Sequence, residues 1–89
     1  MKQQATPEEI KSKIKLVLVS YPTQGVEPQL LITIAREFLK DDSLVAARSE
    51  VQAVVESMGI PKRKRGKEIR YFATAPQLEA YNHGQVIPG

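Results

Sequence analysis

The residues with the most chemistry to offer are crowded into one short stretch. Lys62, Arg63, Lys64, Arg65, Lys67 and Arg70 stand against Glu68 alone, a net charge of +5 in nine residues. Residues 1–61 hold seven basic and eight acidic side chains, and residues 71–89 hold only Glu79, so each flank carries −1. The formal charge of +3 is therefore local, not spread. A field concentrated in this way favours a polyanionic partner beside the stretch. The competing explanation is a charged turn that serves solubility.

Few other groups are placed to react. The 89 residues include no Cys, which excludes disulfides, thiolate metal sites and a cysteine nucleophile. His83 follows Asn82 with no second ligand or carboxylate nearby in sequence and reads as a surface residue. Glu8-Glu9 and Asp41-Asp42 are carboxylate pairs, but both sit where helices start, and there they favour the helix macrodipole. Gly25, Gly59 and Gly66 are too far apart to cradle a phosphate and read as separate turns or caps. No enzyme, metal or cofactor is expected. The longest apolar run, Leu16 to Val19, is far short of the ~20 residues of a membrane span. Met1-Lys2-Gln3-Gln4 does not lead into a signal-peptide core. A soluble, cytoplasmic or nucleoid-associated domain is the expectation.

Helices must position the basic stretch. Thr6-Pro7-Glu8-Glu9 spells a capping box with Pro at the first helical position, and a helix is expected from Pro7 to Ser20. Ile10, Ile14, Val17, Leu18 and Tyr21 form its apolar face, although Ile14 to Val19 is β-branched enough to read as a strand. Tyr21-Pro22 ends it, and Val26 falls in a short extended link. A second helix, Pro28 to Lys40, turns Leu30, Leu31, Ile34, Ala35, Phe38 and Leu39 inward and Arg36 outward. A third runs from about Leu44, or from Glu50 if Ser49 caps it, to Met58, closed by Gly59. After Pro61 the apolar period changes from 3.6 to 2. Lys62–Arg65 and Glu68–Thr74 then read as a β-hairpin turning at Gly66. Ile69 and Tyr71 face the core. Phe72 shares its strand face with Arg70, where an aromatic could meet a base or partner, though packing under a short helix from Pro76 to Tyr81 is preferred. Residues 1–5 are expected to be disordered, 6–82 to form one domain and 83–89 a tail.

Helix, short extended link, helix, helix and basic hairpin: this order, from Thr6 to Ala75, resembles the winged helix-turn-helix superfamily. Its most telling part is Ser49 to Ile60, a helix closed by Gly and an aliphatic residue, followed by Lys62 to Tyr71. The resemblance implies a small α+β, three-helix domain with a two-stranded wing. In such DNA binders the third helix enters the major groove and the wing touches phosphate or minor groove. Carried over by position, Ser43, Arg48, Ser49 and Gln52 fall on the reading helix, and Lys62, Arg63, Lys64, Arg65, Lys67 and Arg70 on the wing. Each cation that neutralises a phosphate releases counterions. Arg48 and Gln52 have the geometry for guanine and adenine edges. Glu50 and Glu56 outnumber Arg48 on the third helix, a departure from a strong base reader. Double-stranded DNA is the expected partner, through a homodimer if two half-sites are read. RNA binding by the same hairpin and docking of an acidic protein are the alternatives.

Overall fold

A computed structural model describes residues 3–22 and 24–82 of the chain. Thr6 starts helix α1 (Pro7–Val19) through the expected capping box. The Glu9 amide donates to Thr6 Oγ1 at 3.2 Å, and the Thr6 amide donates to Glu9 Oε1 at 2.9 Å. Two of the first turn's free amide donors are thereby satisfied, and the strand alternative for Ile14–Val19 loses to the helix. Ile10, Ile14, Val17 and Leu18 are buried at the helical period, while Tyr21 lies at the surface beyond the helix end.

Helix α2 (Pro28–Asp41) keeps the expected span but turns a different face inward. Leu31, Ile32, Ala35 and Leu39 are buried, Ile34 and Phe38 are half-buried, and Leu30 is exposed. Seven apolar residues cover more of this helix than one neighbour can bury. The contacts with α1 on one side and with residues 44–57 on the other decide which are covered. Arg36, expected in water, is half-buried and donates from Nε to the Ala46 carbonyl at 3.0 Å.

The largest departure follows α2. Ser43 adopts φ 60° and donates its amide to the Lys40 carbonyl, ending the helix in a left-handed turn. Leu44–Val45 then forms strand β2, paired in parallel with strand β1 (Gln3–Gln4). Gln3 donates to the Ser43 carbonyl at 3.0 Å and Ala5 to the Val45 carbonyl at 2.8 Å, and Ala5 is buried. Residues 3–5 are thus ordered by pairing, against the disorder expected of residues 1–5. Helix α3 (Arg48–Ser57) starts neither at Leu44 nor at Glu50, but behind Ala47, whose carbonyl accepts from the amides of Glu50 and Val51. Val51 and Val55 are its buried residues.

Strands β3 (Lys62–Arg65) and β4 (Glu68–Tyr71) form the antiparallel hairpin, turning at Gly66 with φ 62°. Strand β4 stops before the expected Thr74, opposite Pro61: the Phe72 amide still donates to the Pro61 carbonyl, at 2.8 Å and in register, but proline has no N–H to return the bond. Helix α4 (Ala75–Asn82) follows directly. Phe72 is fully buried, with the Tyr81 ring 5.2 Å away, as its preferred reading required. The described residues therefore form a small α+β fold of four helices, one hairpin and one short parallel pair. Its apolar core lies among α1, α2 and α3. No helix among the described residues is long and apolar enough to cross a membrane. His83 and the expected tail lie outside the described residues.

Candidate functional site

The hairpin register divides the basic stretch into two faces. Lys62 opposes Tyr71 and Lys64 opposes Ile69, whereas Arg63 opposes Arg70 and Arg65 opposes Glu68. Directly opposed residues share a face, and neighbours along a strand alternate. Lys62 and Lys64 therefore stand on the face shared with half-buried Ile69 and Tyr71, and the three arginines stand on the other. Lys67 sits at the tip beside Gly66. Lys62, Lys64, Arg65 and Lys67 are exposed, and Arg63 is half-buried.

Helix α4 covers part of the arginine face. The Arg63 guanidinium lies 4.8 Å from the Tyr81 ring centroid and that of Arg70 5.9 Å, both within cation–π range. Tyr81 is the residue that reading the sequence did not assign to the site. The signal was Phe72: a helix packed over it must also lie over Arg70 and Arg63, which share its side of the hairpin.

Arg70 differs from the other hairpin cations. Its guanidinium donates to Glu68 and, at 3.1 Å, to the Gln24 carbonyl, with Glu27 4.0 Å away. It ties β4 to the α1–α2 connection instead of facing a partner. The hydrogen bond and charge of Arg70 hold the Glu68 carboxyl below its usual range, and Arg63 and Arg65 add to this. The same bond raises the pKa of Arg70. Among the described residues, Lys62, Arg63, Lys64, Arg65 and Lys67 have no carboxylate partner and no side-chain hydrogen bond. By contrast, Lys11, Lys13 and Lys40 pair with Glu8, Asp42 and Glu37. These five cations stand on one small hairpin with no carboxylate of the described residues in ion-pair contact, a local concentration of positive charge that favours an anionic neighbour.

The residues assigned to a reading helix are only partly brought together. Ser49 and Gln52 are exposed on α3, with Gln52 Nε2 3.5 Å from Glu56 Oε1. Arg48 opens α3, but its guanidinium donates to Gln29 Oε1 at 2.9 Å and to Thr33 Oγ1 at 3.2 Å, which clasps α3 to α2. Ser43 is not on α3 at all; it is the left-handed turn before β2. Glu50, an acidic departure noted above, accepts from Gln4 Nε2 at 2.6 Å and so is held by β1. No group of three or more His, Asp or Glu side chains among the described residues is placed to hold a metal ion. Comparison of the chain with protein-family models, with curated proteins and with solved structures finds no match.

Proposed function

We propose that this chain is a winged helix-turn-helix protein that binds double-stranded DNA, with the β3–β4 hairpin as its wing against phosphate and α3 facing the groove. The observation that carries the proposal is the set of five hairpin cations that make no ion pair among the described residues, beside a chain whose other described lysines are mostly paired. The topology supports the same reading. The extended link between α1 and α2 closes on the hairpin through a bridge between Val26 and Tyr71, so link, β4 and β3 lie side by side, with Val55 and Glu56 near the end of α3 beside Lys62 and Tyr71. In this arrangement Ser49 and Gln52 are the side chains available to base edges.

A salt series tests it. If the hairpin touches four or five phosphates, the logarithm of duplex affinity falls against the logarithm of salt with a slope of about −4. Single-stranded DNA and RNA are run alongside, and tighter binding of RNA transfers the proposal to RNA. Replacing Lys62, Lys64, Arg65 and Lys67 by Ala, and sparing Arg63 on Tyr81, should abolish most binding without altering the fold. Unchanged duplex affinity in that variant overturns the proposal. A second reading, a protein-assembly module, is favoured by one observation: Leu16, Val19 and Leu30 are 48%, 59% and 45% exposed, apolar surface on α1 and α2 that the fold leaves uncovered. It predicts self-association or partner capture that the lysine and arginine replacements leave intact.

A further inference from the structure

Arg63, Arg65, Glu68, Arg70 and Tyr81 line a pocket of about 70 Å³ between the arginine face of the hairpin and α4. A lone water needs about 10–15 Å³, so the pocket takes a group of several non-hydrogen atoms. We infer that this pocket binds one phosphate monoester, the terminal phosphate of a nucleic-acid strand. The inference rests on the reading of the hairpin as a nucleic-acid surface and adds a site to it.

Charge selects the ligand. Arg70 and Glu68 neutralise each other through their hydrogen bond, which leaves Arg63 and Arg65 as a net +2. A phosphate monoester carries about −1.5 to −2 at neutral pH, whereas a phosphate within a strand carries −1. Geometry prepares the donors. The Tyr81 ring holds the Arg63 guanidinium over its face and uses none of its N–H groups, and Arg65 donates to no acceptor among the described residues. Guanidinium forks of this kind bind phosphate oxygens in pairs, and the Arg63 fork, already held over Tyr81, loses little freedom on doing so. Arg70 cannot swing in to compete, because Gln24 and Glu68 hold it. Lys62 and Lys64, on the opposite face, remain for the phosphates along the strand.

The test compares one short duplex carrying 5′-phosphate ends with the same duplex carrying 5′-hydroxyl ends, at fixed salt. The phosphorylated duplex should bind about tenfold tighter, near the lower end of what charge-assisted hydrogen bonds contribute. Arg65→Lys keeps the charge but loses the fork and should erase most of that preference, as should Arg63→Gln. The Lys62→Gln, Lys64→Gln double variant should weaken both duplexes alike and keep the preference. Equal affinity for the two duplexes overturns the site while leaving the wing proposal standing. So does a preference that survives both arginine changes but not the lysine ones, since that is general electrostatics. A phosphoserine peptide bound more tightly than the phosphorylated duplex overturns the nucleic-acid source. If neither duplex binds, the wing proposal fails, and inorganic phosphate followed through the arginine side-chain NMR resonances decides the pocket alone. Shifts at Arg63 and Arg65 support it, and their absence overturns it.

Discussion

Val26 and Tyr71 donate to each other's carbonyls, at 2.9 Å and 2.8 Å, and this backbone bridge, beside the Arg70 bond to the Gln24 carbonyl, joins the α1–α2 connection to the hairpin. Gly25 makes the approach possible. At its φ of +72°, a Cβ would lie 2.8 Å from Phe72 Cζ and 2.9 Å from the Tyr71 carbonyl oxygen, closer than side chains tolerate. Gly25→Ala should therefore combine a left-handed backbone penalty of about 1–2 kcal/mol with an overpacking penalty of about 1–3 kcal/mol. Gly66→Ala has a similar φ of +62° but no atom within 4 Å, so only the first penalty applies. Denaturant midpoints of the two variants should differ clearly, with Gly25→Ala the less stable. Equal midpoints mean that Phe72 gives way freely and that the bridge is not tightly packed.

Phe72, rather than Phe38, is the aromatic anchor of the fold. It is fully buried, whereas Phe38 is half-buried at the edge of the core. Phe72→Ala should cost about 3–5 kcal/mol, as expected for an aromatic side chain removed from a packed site. Phe38→Ala should cost about 1–3 kcal/mol, because part of its surface is already in water. Lys64→Ala should stay within about 0.5 kcal/mol. Thermal melts of the three variants give the order, and a larger loss at Phe38 than at Phe72 contradicts it.

Tyr71 makes the fold sensitive to alkali. Burial raises its phenol above the ordinary value of 10.0, and the negative charge of Glu56 adds to the effect. Folding thus favours the neutral phenol, and the unfolded chain ionises first as pH rises. The corresponding stability is fully present below about pH 10 and is lost as pH climbs through the unfolded value toward the folded one. Tyr71→Phe removes this titration. Between pH 9 and pH 11 the parent should lose more stability than the variant, as read from urea unfolding at each pH. Parallel losses mean that Tyr71 is solvated.

Which parts of this fold the sequence discloses follows from how local the forces are. The capping box of α1, the Pro that opens α2 and the Gly66 turn are decided within a few residues, and reading the chain finds each of them. The β1–β2 pair is different. Gln3 and Gln4 have no apolar pattern, and their strand exists only because Ser43 turns left-handed and presents Leu44–Val45 to them across some forty residues. The face of α2 is likewise set by its neighbours, since its apolar residues exceed what one contact covers. Of the site, the concentration of charge is plain in the sequence, but its division into two faces is not. That division needs the register, which sets Arg63 against Arg70, and the packing of α4, which lays Tyr81 over both.

The remaining prediction separates base reading from phosphate holding on α3. Gln52 and Ser49 are exposed, and the contact of Gln52 with Glu56 is long enough to exchange readily for a base edge. Gln52→Ala should therefore reduce preference for a selected site over random duplex by about 1–3 kcal/mol and leave random-duplex affinity nearly unchanged. Arg48 is bound to Gln29 and Thr33, so reading a guanine would require both bonds to break. Arg48→Ala should consequently loosen α3 against α2, and its effect should appear in stability rather than in site preference. Competition binding with selected and random duplexes, paired with melts of the free proteins, distinguishes the two roles. A loss of site preference in Arg48→Ala with an unchanged melt would return Arg48 to the reading surface. Gln52→Ala with preference intact would remove α3 from the groove and leave the hairpin as the whole of the interface.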